Sequence, residues 1–386
     1  MRIAFYHNIL WSKYKGAIFS RLYALCEERG VEAQFVQIAE TATEYARLGG
    51  VDLSYHNYPF RLLMSGDYAK ASLIRRIWVT AKDLLTHRCD LVVLPGYDLV
   101  EYWVMIVLCM LLRRKRAVFC DATQLDRERV RVKEIAKRLF FTHCDGVFCY
   151  GRLSKEYVSN YGVSAARIFF NCQAAALPHG YNPDLVRAAY RAKTIEQAAD
   201  ALEDPHFLFL GRLAPEKGVH DLVEAFRLVY RKQGSGHLSL VGAGPLEGAL
   251  RAHIESVGLN GVVTLLGARG LLEVEPLFYR SVALVLPSNS EPWGLVVNEA
   301  LSYGCPVIVS DRCGCVPELV IDGISGYSFS SGSIEGLAAA MLECLSLSKD
   351  RISTVENCLT LMSSFTPEKA AAEILRGCEA IAEGRV

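Results

Sequence analysis

Pro287-Ser288-Asn289-Ser290-Glu291-Pro292-Trp293-Gly294-Leu295-Val296-Val297-Asn298-Glu299-Ala300 sets two carboxylates eight residues apart. Carboxylates accept hydrogen bonds from vicinal hydroxyls, the groups that ribose and hexose rings present. The apolar run Ser281 to Leu286 before it reads as a strand, and a helix is expected from about Gly294. Glu291 then lies on the loop and Glu299 inside the helix, at different depths of one pocket. The free N–H groups of Trp293 to Val296 at that helix start make an anion site. The blander alternatives are Glu291 as a helix cap and Glu299 as a solvated side chain.

A second candidate is Gly211-Arg212-Leu-Ala-Pro-Glu-Lys217-Gly218, at a strand end, with two cations five residues apart. The planar fork of an arginine and the mobile point charge of a lysine together suit a diphosphate. The alternative is a solvated loop in which Glu216 partly pairs with the cations. A third, Gly242-Ala-Gly244-Pro-Leu-Glu-Gly248, looks like a stretched dinucleotide fingerprint. A nicotinamide site also needs an acid at the end of the next strand. That strand, Val262 to Leu266, runs into Gly267-Ala268-Arg269 instead. A tight strand-to-helix turn explains these glycines.

The elements that must position these loops alternate along the chain. Strands are expected at Arg2 to His7, Ala33 to Ile38, Asp90 to Leu94, Ala117 to Cys120 and Gly146 to Tyr150. A second set falls at His206 to Leu210, His237 to Val241, Val262 to Leu266, Ser281 to Leu286 and Pro306 to Ser310. Helical patterns separate several of them; Val219, Leu222, Val223, Phe226 and Val229 share one face of one such helix. This is an α/β fold of two doubly wound Rossmann-like domains, whose ligand sites lie beyond the strand carboxyl ends and are expected to face each other across a cleft. The expected limits are a first domain over 1–185, a linker over 186–205, a second domain over 206–365, and a C-terminal helix over 366–386 packing back on the first domain.

The 386 residues, 51% hydrophobic and 22% charged, suffice for two cores and exclude a disordered chain. Lys and Arg number 42, as do Asp and Glu, so overall charge gives no case for nucleic-acid binding. The charge is unevenly spread: residues 1–180 carry 25 Lys and Arg against 17 Asp and Glu. A basic half suits an anionic partner, phosphate or lipid. Its longest apolar run, Tyr102 to Leu112, has eleven residues, against about 20 for a membrane span. Arg113 to Arg116 follow it, the pattern of a helix on an anionic membrane face or of a buried helix with cations at its end. Thirteen cysteines without C-x-x-C spacing, and an N-terminus without an apolar signal region, read as reduced thiols in a cytoplasmic protein. Cys313-Gly-Cys315 is half a metal site with no matching pair after it.

In order, the chain shows Gly-Arg-x4-Lys-Gly, Val-Gly-x-Gly-Pro, Leu-Gly, Pro-Ser-x2-Glu-x2-Gly-x4-Glu-Ala and Gly304-Cys305-Pro306-Val307-Ile308. This resembles the retaining glycosyltransferases of the GT-B fold, family 4, closely over 206–330 and more loosely before. The resemblance implies that Arg212 and Lys217 hold the diphosphate of a nucleotide sugar and that Glu299 binds its ribose. Glu291, with the backbone of Trp293, Gly294, Leu295 and Val296, would contact the donor sugar. The base would rest near Ala268, Arg269 and Gly270. Lys15-Gly16-Ala17 matches the family's phosphate-approaching glycine loop, its usual glycine pair reduced to Gly16. Where family members commonly place a histidine, this chain reads Phe119-Cys120-Asp121-Ala122-Thr123, with Asp121 as the acceptor-side substitute. Asp311-Arg-Cys313-Gly-Cys315 likewise lacks the usual paired glycines.

The reaction so implied is hexose transfer with retention to a hydroxyl on a glycan or lipid-linked glycan, as in surface-polysaccharide assembly. The sequence holds no Asp-x-Asp, so no metal or other cofactor is expected and protein cations would stabilise the leaving diphosphate. Domain closure would complete the site. Arg75-Arg76-Ile77-Trp78, Trp103 to Arg116 and the Arg127, Arg129, Arg131, Lys133 series suit peripheral contact with an anionic membrane. The other function classes are a nucleotide-sugar isomerase on the same fold, which converts donor without acceptor, and a binder that does not turn over.

Overall fold

The structure, a computed structural model, describes residues 1–43, 50–125, 131–192 and 203–386. They form two compact units, Met1–Ala176 with Phe365–Val386, and Leu177–Ser364.

Among the described residues, the first unit holds a seven-stranded, all-parallel sheet. Its strands are β1 (Arg2–Ile9), β2 (Glu32–Thr41), β3 (Phe60–Asp67), β4 (Leu91–Leu94), β5 (Lys115–Cys120), β6 (Gly146–Cys149) and β7 (Ile168–Phe169), in the order β3-β2-β1-β4-β5-β6-β7. Every residue of β4 and β6 is buried, as expected for strands covered on both faces. Crossovers include α1 (Lys13–Glu28), α2 (Leu73–Thr86), α3 (Val100–Leu111), α4 (Arg131–Thr142) and α5 (Arg152–Ser159). Strand order reverses between β1 and β4, which opens a crevice at their carboxyl ends.

The second unit begins with α6 (Pro183–Ala192). Its six-stranded parallel sheet contains β8 (His206–Leu210), β9 (His237–Val241), β10 (Val263–Gly267), β11 (Ala283–Leu286), β12 (Val307–Ser310) and β13 (Gly326–Phe329), in the order β10-β9-β8-β11-β12-β13. The helices are α7 (Val219–Gln233), α8 (Glu247–Ser256), α9 (Leu271–Arg280), α10 (Leu295–Ser302), α11 (Val316–Leu319), α12 (Ile334–Cys344) and α13 (Arg351–Met362). The apolar face of α7 is fully buried in the core with Phe207, Leu240 and Met341. Here the order reverses between β8 and β11, so the loops leaving those two strands flank the crevice.

The last helix, α14 (Pro367–Ala382), belongs to the first unit, where Ile374, Cys378 and Ile381 join the core around Phe119 and Phe148. Small residues let it sit close to the sheet: a Cβ on Gly146 would stand 2.4 Å from Ile381, and one on Gly377 would stand 2.5 Å from Phe148.

Part of the expected linker is helix instead. Pro183 is the first residue of α6, the one position where a missing N–H costs nothing. Val186 and Tyr190 are buried, and Arg187 pairs with Glu356 of α13 at 2.8 Å. Residues 193–202 of that segment lie outside the described residues. Three strands absent from the sequence reading, β3, β7 and β13, stand at sheet edges, where short or half-solvated strands lose their apolar signature.

Candidate active site

Two loops of the second unit meet because their strands are neighbours. After β8 the chain turns through Gly211–Gly218; after β11 it runs through Pro287–Gly294. Gly218 is left-handed at φ 63°, and a Cβ there would lie 2.2 Å from the Pro287 carbonyl oxygen. Only glycine permits that approach. Asn289 N–H then donates to the Glu216 carbonyl at 2.8 Å. The contact brings Lys217 Nζ onto Glu291 Oε2 in a direct ion pair, with the two side chains only 19% and 16% exposed.

Glu291 is held from a third side. Its N–H donates to the Arg312 carbonyl at 3.2 Å, its carbonyl accepts from Gly314 N–H at 2.9 Å, and Cys315 N–H donates to the Trp293 carbonyl at 3.1 Å. A Cβ on Gly314 would sit 1.9 Å from the Pro292 carbonyl oxygen. The Asp311–Cys315 turn thus clasps the Glu291 loop through one glycine, which the sequence reading saw only as a missing pair. Burial pushes the thiols of Cys313 and Cys315 up, and both pack under the loop.

The glycines of the apparent dinucleotide fingerprint serve the same framework. A Cβ on Gly242 would lie 1.8 Å from the Gly211 carbonyl oxygen and one on Gly244 would lie 2.2 Å from that of Leu213. The turn after β9 therefore buttresses the loop that carries Arg212 and Lys217, with Leu213 N–H bonded to the Ala243 carbonyl at 3.0 Å.

Helix α10 starts at Gly294, φ 97°, with no side chain capping its N-terminus. Glu291 is thus an ion-pair partner and not its cap. Trp293 is buried, and its indole N–H donates to Asn298 Oδ1 at 2.8 Å. Leu295 and Val296 are half-buried in the first turn. Glu299, one turn further, is recessed, and burial raises its carboxyl from 4.5 to about 7. A proton held in the folded chain but lost from the unfolded one between about pH 4.5 and 7 makes stability fall as pH rises through that window. Glu299→Gln is expected to remove this slope, about 3 kcal/mol in all, so that melting curves of variant and parent diverge toward pH 8 and converge near pH 4.

Arg212 is exposed and pairs with Glu216, four residues on. The cation pair expected from the sequence is therefore split: Glu216 takes the arginine and Glu291 the lysine. Ala268, Arg269 and Gly270 are exposed at the carboxyl end of β10, where Arg269 and the Gly270 N–H both bind Glu273 at 2.9 Å. Gly16 and Asp121 lie in the first unit. Gly16 is in the first turn of α1, where a Cβ would meet the His56 ring at 2.8 Å. Asp121 follows β5 and is exposed.

Residues 191–358 match the family model "Glycosyl transferases group 1". A glycogen synthase of Mycobacterium tuberculosis is 35% identical over 138 residues, which cover 36% of this chain and 33% of that protein, so the match spans about a third of the relative. Among solved structures, Anabaena HepE in complex with UDP and glucose aligns with a TM-score of 0.69 at 19% identity, covering 98% of this chain and 100% of that one. Sucrose-phosphate synthase from Thermosynechococcus elongatus aligns at 0.72 and 17% identity, covering both chains fully at 100%. The fold is that of the GT-B glycosyltransferases, and over 191–358 the chain carries the sequence pattern of a Glycosyl transferases group 1 domain.

Proposed function

We propose that the protein is a retaining, metal-independent glycosyltransferase of family 4. It moves a hexose from a nucleotide diphosphate sugar to a hydroxyl of a glycan or lipid-linked glycan in cell-surface polysaccharide synthesis. The observation that carries this is the Lys217–Glu291 pair set beside the uncapped start of α10 and the recessed Glu299. A cation, a helix N-terminus and two carboxylates are what a diphosphate flanked by two hydroxyl-bearing rings requires. The donor's diphosphate takes Lys217, with Arg212 closing from the exposed side. Glu299 accepts from the ribose, and Glu291, released from its lysine, contacts the sugar. Charge developing on the leaving diphosphate is stabilised in place, and that phosphate helps to deprotonate the acceptor on the same face. The solved neighbour named with UDP and glucose supports a nucleotide-sugar donor. A thermal-shift screen of UDP-, GDP- and ADP-sugars tests the reading. One of them is expected to raise Tm in the parent and to lose that effect in Glu299→Ala; no shift with any of them would sink it.

Peripheral membrane contact is part of the proposal, and only some of the residues the sequence suggested carry it. Trp103 turns inward against Phe140 at 5.0 Å, Arg76 pairs with the buried Glu101 at 3.1 Å, and Arg114 donates to the Leu84 carbonyl at 2.6 Å. Arg127 and Arg129 lie outside the described residues. Instead α2 exposes Ile74 (80%), Trp78 (59%) and Leu85 (57%) along one stripe, and α3, which packs on it, exposes Val107 and Leu111 (74%). Arg75 and Lys82 flank the stripe, and Lys82 stacks over Trp78 at 4.9 Å. An apolar stripe among cations suits an anionic lipid surface working on the cytoplasmic side. No helix among the described residues is long and apolar enough to cross a membrane. Ile74→Asp with Trp78→Asp is expected to abolish co-sedimentation with vesicles containing phosphatidylglycerol, while turnover on a soluble acceptor is unchanged. Equal sedimentation of variant and parent counts against it.

A further inference from the structure

The loop leaving β11 joins α10 at a junction where no side chain caps the helix. Gly294, at the cap position, is left-handed at φ 97°, and a Cβ there would stand 2.9 Å from Leu286 Cδ2 and 3.5 Å from Glu291 Cγ. Serine, threonine and aspartate would close the first-turn N–H groups with a side-chain oxygen, but backbone angle and space both disfavour them here. The N–H groups stay open, as an anion site needs. In consequence the chain enters the helix through its most pliable residue type, with no cap to set the angle.

What sets the angle instead begins one residue earlier. Trp293 precedes the cap position and Asn298 is the fourth residue of the helix, the two places at which an apolar pair commonly staples a helix start. In this chain the staple is polar. The indole N–H of Trp293 donates to Asn298 Oδ1 at 2.8 Å, and the two residues are 3% and 0% exposed. Asparagine is a costly choice for that place, being a poor helix former whose Nδ2 is here buried with no hydrogen-bond partner among the described residues. A leucine would staple by apolar contact and leave no amide unsatisfied. What the amide adds is direction, since a hydrogen bond holds the ring, and through it the backbone, in one orientation. The Trp293 carbonyl in turn accepts from Cys315 N–H at 3.1 Å, so one residue joins the Asp311–Cys315 turn to the helix.

We propose that Trp293 and Asn298 are positioning residues, a hydrogen-bonded staple that stands in for the missing cap and holds the first-turn N–H groups of Leu295 and Val296 where the donor's diphosphate binds. This rests on the glycosyl-transfer reading above and adds to it the residues that shape its anion site.

The test compares Trp293→Phe, Asn298→Leu and the double variant in the full chain. Each single variant strands one buried partner of the bond and is expected to lower Tm. The double variant makes both partners apolar and is expected to be no less stable than either single. A staple that served packing alone would return function together with stability. Of UDP, GDP and ADP, the one that raises Tm most in the parent is titrated calorimetrically at a temperature where all four proteins are folded. All three variants are expected to bind it about 10-fold or more weakly, while the corresponding nucleoside, followed by NMR at millimolar concentration, binds the four proteins alike. Parental diphosphate affinity in the double variant, or a loss shared equally by the nucleoside, would overturn the proposal. Should none of the three diphosphates bind, the glycosyl-transfer reading fails on its own, and ¹⁵N relaxation still decides the staple. Order parameters of the Leu295 and Val296 amides, expected near about 0.85 in the ligand-free parent, should then fall below about 0.7 in the double variant. Values equal to the parent's would show that the bond does not hold the turn.

Discussion

Lys217→Ala is expected to cut turnover by about 10² or more, and Glu291→Ala by a similar factor, measured as release of nucleoside diphosphate at saturating donor. The two losses have different causes. Without Lys217 the leaving diphosphate develops its charge with no ammonium beside it, which raises the barrier and weakens donor binding together. Without Glu291 the lysine is free for phosphate, so affinity is kept or improves while kcat falls. In the structure the two groups neutralise each other at low exposure, so on the proposed reaction donor binding would exchange one partner of Lys217 for another. Removing both should therefore cost less than the product of the single losses. Near-normal turnover in both single variants would refute this site.

Gly314→Ala is expected to be the most disruptive small substitution near the site. The added methyl would fall 1.9 Å from the Pro292 carbonyl oxygen and 3.4 Å from Trp293 Cα, and both are backbone atoms that cannot swing aside. Either the Asp311–Cys315 turn or the Glu291 loop must move, and the hydrogen bonds from Gly314 and Cys315 go with it. Overpacking of this kind costs about 1–3 kcal/mol, and the lost hydrogen bonds add to it. A Tm several degrees below the parent and a turnover loss of at least 10-fold in the folded fraction are expected, because Glu291 is displaced without being altered. Gly248→Ala, where a Cβ meets nothing within 4 Å, is the matched control and should lower neither. A parental Tm and parental turnover for Gly314→Ala would show that the clasp does not set the loop.

Much of this architecture is legible without coordinates. The central strands are short, apolar and bounded by turn residues because both their faces are covered, and that burial pattern is written directly into residue type. Edge strands are covered less and escaped notice: Phe60–Asp67 has a single fully buried residue, Met64. The helix opening at Pro183 was hidden for the opposite reason, since proline marks a boundary in a linker and a first turn in a helix equally well. Lys15 left no signal at all. A lysine in a glycine turn reads as solvated, and only packing against Phe119 and Tyr150 removes it from water.

The chain by itself determined which loops follow which strands, and therefore which residues are available at the carboxyl ends of the second sheet: Arg212, Lys217, Glu291 and Glu299. It left open which charges pair, because Lys217 is one residue from Glu216 and 74 from Glu291. Tertiary structure decided for the distant partner. Parallel pairing sets β8 beside β11, and the backbone approach at Gly218 and Pro287 seats one loop on the other. Glu216 is left with Arg212. Local spacing ranks partners by distance along the chain, whereas a sheet with a reversal in strand order ranks them by neighbouring strands, and in this protein the second ranking governs.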